Sequence, residues 1–133
     1  MINKSIAIID DDPILLNIYS EALKMSGYDV CSFSNPLVAY DHIKENPDKY
    51  SLLIIDDKMP NINGLFMGTK LLEIKPKMNV IIMSDFANLK CNYKFNILKK
   101  RVSISKLIDV VNESISKSIS YGDKLYTSLK QNN

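Results

Sequence analysis

Three consecutive aspartates, Asp10 to Asp12, close a short apolar run at Ile6–Ile9, and a second acidic pair, Asp56 and Asp57, closes another at Leu52–Ile55. Carboxylates gathered in one place raise one another's pKa and destabilise a fold unless a cation stands between them. Clustered oxygen ligands with room for water suit Mg²⁺, which is usually held by one or two carboxylates together with a substrate phosphate. The bland use of such residues is helix capping. Asp12 reads that way because Pro13 follows it, and proline at a first helical position lacks only an N–H that would be unsatisfied there. Asp10, Asp11 and Asp56 read differently, since two separate strands would deliver acid to one place. The basic run Lys99, Lys100 and Arg101 is either a solvated face or the source of one lysine facing that acid; we prefer the second.

Bringing these residues together requires particular elements. Short apolar runs alternate along the chain with segments of helical period. Leu15, Ile18, Tyr19 and Ala22 follow Pro13 at helical spacing, and Gly27 fits a helix stop. Tyr28 to Phe33 alternates as a half-buried strand would. Asn35–Pro36 repeats the cap-and-proline device and opens a helix to about Glu45. Leu65 to Ile74 reads as a helix after the loop from Pro60 to Gly64. Val80 to Met83 is a further buried run, Ile97–Leu98 a weak one, and Ile104, Leu107, Ile108, Val111, Ile115 and Ile119 mark one face of a last helix. Strands buried on both faces and alternating with helices imply parallel βαβ units. The expected fold is therefore α/β: a flavodoxin-like, doubly wound, five-stranded parallel sheet in order 2-1-3-4-5. In such sheets the site lies beyond the carboxyl ends of the strands, where strand order reverses, and the two strands flanking that point both end in aspartate.

The 133 residues are enough for one domain with a core and too few for two, and 46% hydrophobic with 24% charged residues is an ordinary globular composition. Apolar runs of four residues are far below the roughly 20 that span a bilayer. No secretory signal is read at the start, so a cytoplasmic protein is expected, with Cys31 and Cys91 as reduced thiols rather than a disulfide or metal pair. A net charge of +2 is too small to imply nucleic acid. We expect the domain to span residues 1–120 and a polar, flexible tail to span 121–133. His42, on the second helix, is expected to be exposed.

Over residues 4–118 the chain resembles the response regulator receiver family. The segment IAIIDDDPILL is similar to that family's first strand with its acidic pair, and LLIIDDKMPNINGL to its third strand, phosphoacceptor and following turn, with Asp, Met-Pro and Gly at the expected offsets. The resemblance implies that Asp56 accepts a phosphoryl group, that Asp10, Asp11 and Asp56 hold Mg²⁺, and that Lys58 offers it a backbone carbonyl. VIIMSD resembles the fourth strand, making Ser84 the hydroxyl that donates to the phosphoryl oxygen. Lys100 best matches the lysine after the fifth strand, with Lys99 as runner-up. A carboxylate attacking phosphorus forms a mixed anhydride, and the transferring group's charge must be neutralised throughout. The implied donor is a phosphohistidine on a histidine kinase or phosphotransfer protein. The chain would catalyse only its own phosphorylation and dephosphorylation, and would act alone, through a downstream protein partner or a homodimer rather than through DNA or a membrane.

Four departures from the family pattern stand out. Arg101 replaces the proline after the lysine, so the Lys100–Arg101 bond is expected to be trans. Asp85 replaces a small residue after Ser84. Ser84 and Lys100 are 16 positions apart, about five fewer than the family usually has, which removes about 7 Å of helix and leaves the fourth helix shortened or missing. Ile97 stands where the family has an aromatic, with Tyr93 and Phe95 near but off count. Two other readings compete: a degenerate receiver working as a phosphorylation-independent binding or dimerisation module, and a haloacid-dehalogenase-type phosphohydrolase using the DxD of Asp10–Asp12.

Overall fold

A computed structural model of the chain describes residues 3–85 and 95–131, with 118–131 as helix backbone only. Among the described residues the elements run β1 (Ser5–Ile9), α1 (Pro13–Met25), β2 (Asp29–Phe33), α2 (Pro36–Glu45), β3 (Leu52–Asp56), α3 (Gly64–Ile74), β4 (Asn79–Ser84), β5 (Asn96–Lys99) and α4 (Ile104–Gln131). All strand pairs are parallel and the order is β2-β1-β3-β4-β5, as the alternating pattern predicts. The expected shortening of a helix between β4 and β5 falls on residues 86–94, which, with Cys91 and Tyr93, lie outside the described residues.

Each apolar run is buried on both faces because consecutive side chains point to opposite sides of the sheet. Ile6, Ile8, Leu52, Ile54, Ile81 and Met83 face α1 and α4, where Leu16, Leu23, Leu107 and Val111 meet them. Ala7, Ile9, Leu53, Ile55, Val80 and Ile82 face α2 and α3, against Ala39, Ile43, Met67 and Leu71. β3, the central strand, is buried at every position from Leu52 to Asp56. Asp12 caps α1 by accepting from the N–H groups of Ile14 and Leu15, and Asn35 caps α2 through those of Leu37 and Val38. Gly27, with φ of 98°, turns the chain out of α1.

One expectation is corrected, and one helix is longer than its apolar face. His42 is half-buried rather than exposed: its Nε2 lies 2.9 Å from the hydroxyl of the buried Tyr50, and its ring packs on Phe33. The last helix does not give way near Ser120 but runs to Gln131. Polar composition describes how a segment is solvated, and a solvated helix satisfies its backbone as well as a coil does. Among the described residues no peptide bond is cis, so Lys100–Arg101 is trans, and Arg101 adopts φ of 62°. No helix among them is long and apolar enough to cross a membrane.

Gly64 is where the fold grips the end of β3. Its N–H donates to the carbonyl of Asp57 at 2.8 Å, and a Cβ at this position would sit 2.3 Å from the carbonyl oxygen of Asp56 and 3.0 Å from Cα of Asp57. Those neighbours are backbone and cannot swing aside. Gly64→Ala is therefore expected to lower stability by about 2–3 kcal/mol despite alanine's better helix propensity. Gly27→Ala, in open space but at positive φ, should lose only about 1 kcal/mol. Urea denaturation of both variants checks the order.

Candidate functional site

β1 and β3 are neighbours, with Ile9 level with Ile55, so the residues just beyond them emerge side by side. Asp10 and Asp56 are each only 3% exposed, while Asp11 is exposed at the rim. Carboxylate oxygens of the three lie within 4.8 Å of one another. Opposite ligands of an octahedral Mg²⁺ stand about 4 Å apart, twice a bond of about 2.1 Å, so this all-oxygen cluster fits a small hard divalent cation after slight contraction. Lys58 and Asp85 line the same cleft, and Asp85 is exposed at its mouth.

The basic run delivers one cation to this cluster. Lys100 Nζ lies 2.5 Å from Asp56 Oδ1, whereas Lys99 ends β5 on an exposed position. The backbone N–H of Lys100 donates to the carbonyl of Ser84 at 2.6 Å, which moors the loop after β5 to the end of β4. Tyr19 adds a second mooring from α1, its hydroxyl donating to the carbonyl of Val102 at 2.9 Å. Ser84 is fully buried at the same end of the sheet, but its hydroxyl donates to Asp57 Oδ2 at 3.0 Å rather than to Asp56.

Burial pushes the Asp10 carboxyl up to about 6, and the charges of Asp56 and Asp11 add to the rise. A backbone N–H from Asp12, donated at 2.9 Å, and the Lys100 ammonium oppose it. Burial also raises Asp56; Lys100 pulls it down, and Asp11 and Asp57 push it up again. For Lys100, burial disfavours the charge, but Asp56, Asp85 and Asp10 outweigh burial and hold the ammonium above its ordinary pKa. One lysine thus faces more negative charge than it can neutralise, which is a demand for a further cation.

The structure brings together Asp10, Asp11, Asp56, Lys58 and Lys100, and places Ser84 one strand away, turned to Asp57. Asp12 is engaged at the N-terminus of α1, where its Oδ1 accepts from Ile14 and Leu15, which disfavours its use as the second acid of a DxD phosphohydrolase. Asp57 is the residue that sequence reasoning passed over. Asp56 is level with Met83, so the next rung sets Asp57 beside Ser84, a juxtaposition available only once the register of β3 and β4 is known.

A family model described as the response regulator receiver domain matches residues 6–112. The response regulator receiver protein CpdR of Brucella abortus is 31% identical over 113 residues, covering 83% of this chain and 92% of that protein. Sporulation initiation phosphotransferase F of Bacillus subtilis is 31% identical over 90 residues, covering 67% of this chain and 70% of its own length. Several other matched relatives are far longer, and the chain spans 11% to 14% of them. Among solved structures, a response regulator receiver domain protein from Clostridium thermocellum superposes with a TM-score of 0.78 at 26% identity, covering 88% of this chain and 98% of that one.

The raised Asp10 pKa carries a pH signature. Between the ordinary carboxyl value of 3.8 and about 6 the folded protein binds more protons than the unfolded chain, so this group's contribution to stability falls as pH rises through that window and levels off above it. Asp10→Asn removes the charge and keeps an oxygen for the Asp12 N–H. It is expected to stabilise the metal-free protein by about 2–3 kcal/mol at pH 7.5, and by much less at pH 4. Urea titrations at the two pH values test both the sign and the window.

Proposed function

The chain belongs to the response regulator receiver family, and from that premise we propose that it accepts a phosphoryl group on Asp56 from a phosphohistidine of a histidine kinase or phosphotransfer protein, with Mg²⁺ bound. The observation that carries this reading is the Lys100–Asp56 contact of 2.5 Å within a cluster of carboxylates at the carboxyl end of the sheet. Asp10, Asp11, Asp56 and the backbone carbonyl of Lys58 would hold the metal, which supplies charge neutralisation for the transferring group.

The protein's own part follows from the geometry. An Asp56 oxygen attacks phosphorus, the P–N bond to the donor imidazole breaks as the P–O bond forms, and the freed imidazole takes up a proton. Lys100 already pairs with Asp56, so its ammonium exchanges one carboxylate oxygen for a phosphoryl oxygen without leaving the site. Its side chain is 26% exposed and that of Asp56 only 4%, so the lysine stands between the buried acceptor and solvent-exposed charge without itself being buried. Ser84 is the hydroxyl that would complete the phosphoryl contacts. Output through a downstream protein in the cytoplasm belongs to the same reading.

Incubation with acetyl phosphate and Mg²⁺, followed by intact-mass measurement, should show one added phosphate on wild type and none on Asp56→Asn. Lys100→Ala should cut the labelling rate about tenfold or more, as loss of a close electrostatic partner does, while Lys99→Ala should leave it within about twofold, since exposed charges contribute little. Full labelling of Asp56→Asn would place the acceptor elsewhere.

A further inference from the structure

Ser84 and Asp57 form a buried pair that phosphoryl transfer to Asp56 does not by itself require. Ser84 is fully buried, Asp57 is 9% exposed, and the hydroxyl-to-carboxylate distance is 3.0 Å. A serine hydroxyl has one proton to donate. Given to Asp57, it forms a charge-assisted hydrogen bond, about twice as strong as a neutral one. Given to a phosphoryl oxygen on Asp56, it leaves the Asp57 carboxylate without that donor in a site that water barely reaches, a substantial loss.

Asp57 cannot follow the hydroxyl. Its N–H donates to the carbonyl of Met83 at 2.8 Å and its carbonyl accepts from Gly64 at 2.8 Å, so the backbone is held from both sides. From that anchored backbone its side chain reaches the Ser84 hydroxyl at 3.0 Å.

We propose that Asp57 is a positioning residue that holds the Ser84 hydroxyl away from the phosphoacceptor, so that a phosphoryl group on Asp56 gains this contact only by drawing the Ser84 hydrogen bond away from a buried carboxylate. The restraint weakens the hold of the site on the phosphorylated form. It acts through Ser84, not through the metal ligands, and it rests on the reading of Asp56 as acceptor and Ser84 as phosphoryl donor.

The test is a double-mutant cycle read by calorimetric binding of beryllofluoride, a phosphoryl mimic, in the presence of Mg²⁺. Asp57→Leu should tighten binding about tenfold when Ser84 is present, and change it less than about twofold in a Ser84→Ala background. Removing a negative charge near Asp56 would by itself favour an anion, but that effect does not need Ser84. Equal tightening in both backgrounds, or no tightening in either, overturns the proposal while leaving the acceptor assignment intact. No binding by wild type overturns both. Should Asp57→Leu fail to fold, as judged by its thermal melt, Asp57→Asn is read in the same two backgrounds. Its gain must likewise depend on Ser84, and must be smaller than a full release of the hydroxyl, because the amide oxygen still accepts.

Discussion

Carboxylates crowded into one pocket repel each other, and the fold has to be stiff enough to keep them there. Asp10 and Asp56 are almost completely buried, each at the end of a strand whose apolar residues are locked between two helical layers. Hydrophobic burial along β1 and β3 supplies the free energy that holds like charges together, at roughly 2 kcal/mol for each fully buried Ile or Leu. The site is therefore a strained outcome of a well-packed sheet, and its unbalanced charge gives it affinity for a cation. Lys100 relieves part of the imbalance from the loop after β5, and the three carboxylates Asp10, Asp11 and Asp56 form a group that could hold a metal ion.

Much of this was legible in the sequence, and the legible parts share a cause. Apolar runs bounded by Asp, Asn and Pro report burial and chain reversal directly, so strands β1 to β4, the Asp12 and Asn35 caps and the sheet order could be read from local pattern. The weak run at Ile97–Leu98 is indeed a short strand, with Leu98 its one buried residue. What could not be read depends on partners distant in sequence. His42 looks like a solvated helix residue until Tyr50 is placed against it. Lys99 and Lys100 are equivalent by composition; the family resemblance favours Lys100, and it is Lys100 whose Nζ lies 2.5 Å from Asp56, while Lys99 ends β5 on an exposed position.

The departures from the family pattern sort themselves in the same way. Arg101 stands in place of a proline in a trans peptide with a left-handed backbone, and the lysine before it still reaches Asp56. The loop that carries it is held at two points, by the Lys100 N–H on the Ser84 carbonyl and by the Tyr19 hydroxyl on the Val102 carbonyl. Asp85 sits exposed at the mouth of the cleft, where its charge favours the protonated Lys100. Ile97, at the place of an aromatic, packs half-buried against the α2–α3 side of the core.

The backbone bond from Lys100 to Ser84 has one more consequence. Asp56 is joined covalently to Asp57, Asp57 to Ser84 by a side-chain hydrogen bond, Ser84 to Lys100 by the backbone bond, and Lys100 back to Asp56 by the ion pair. These four residues make a closed ring. In an open chain of contacts, breaking any one link disconnects the two ends. In a ring, the remaining links still hold every member, so a single side-chain contact can be exchanged while the frame around it stays assembled. Such a site can be rewired one bond at a time, without local unfolding.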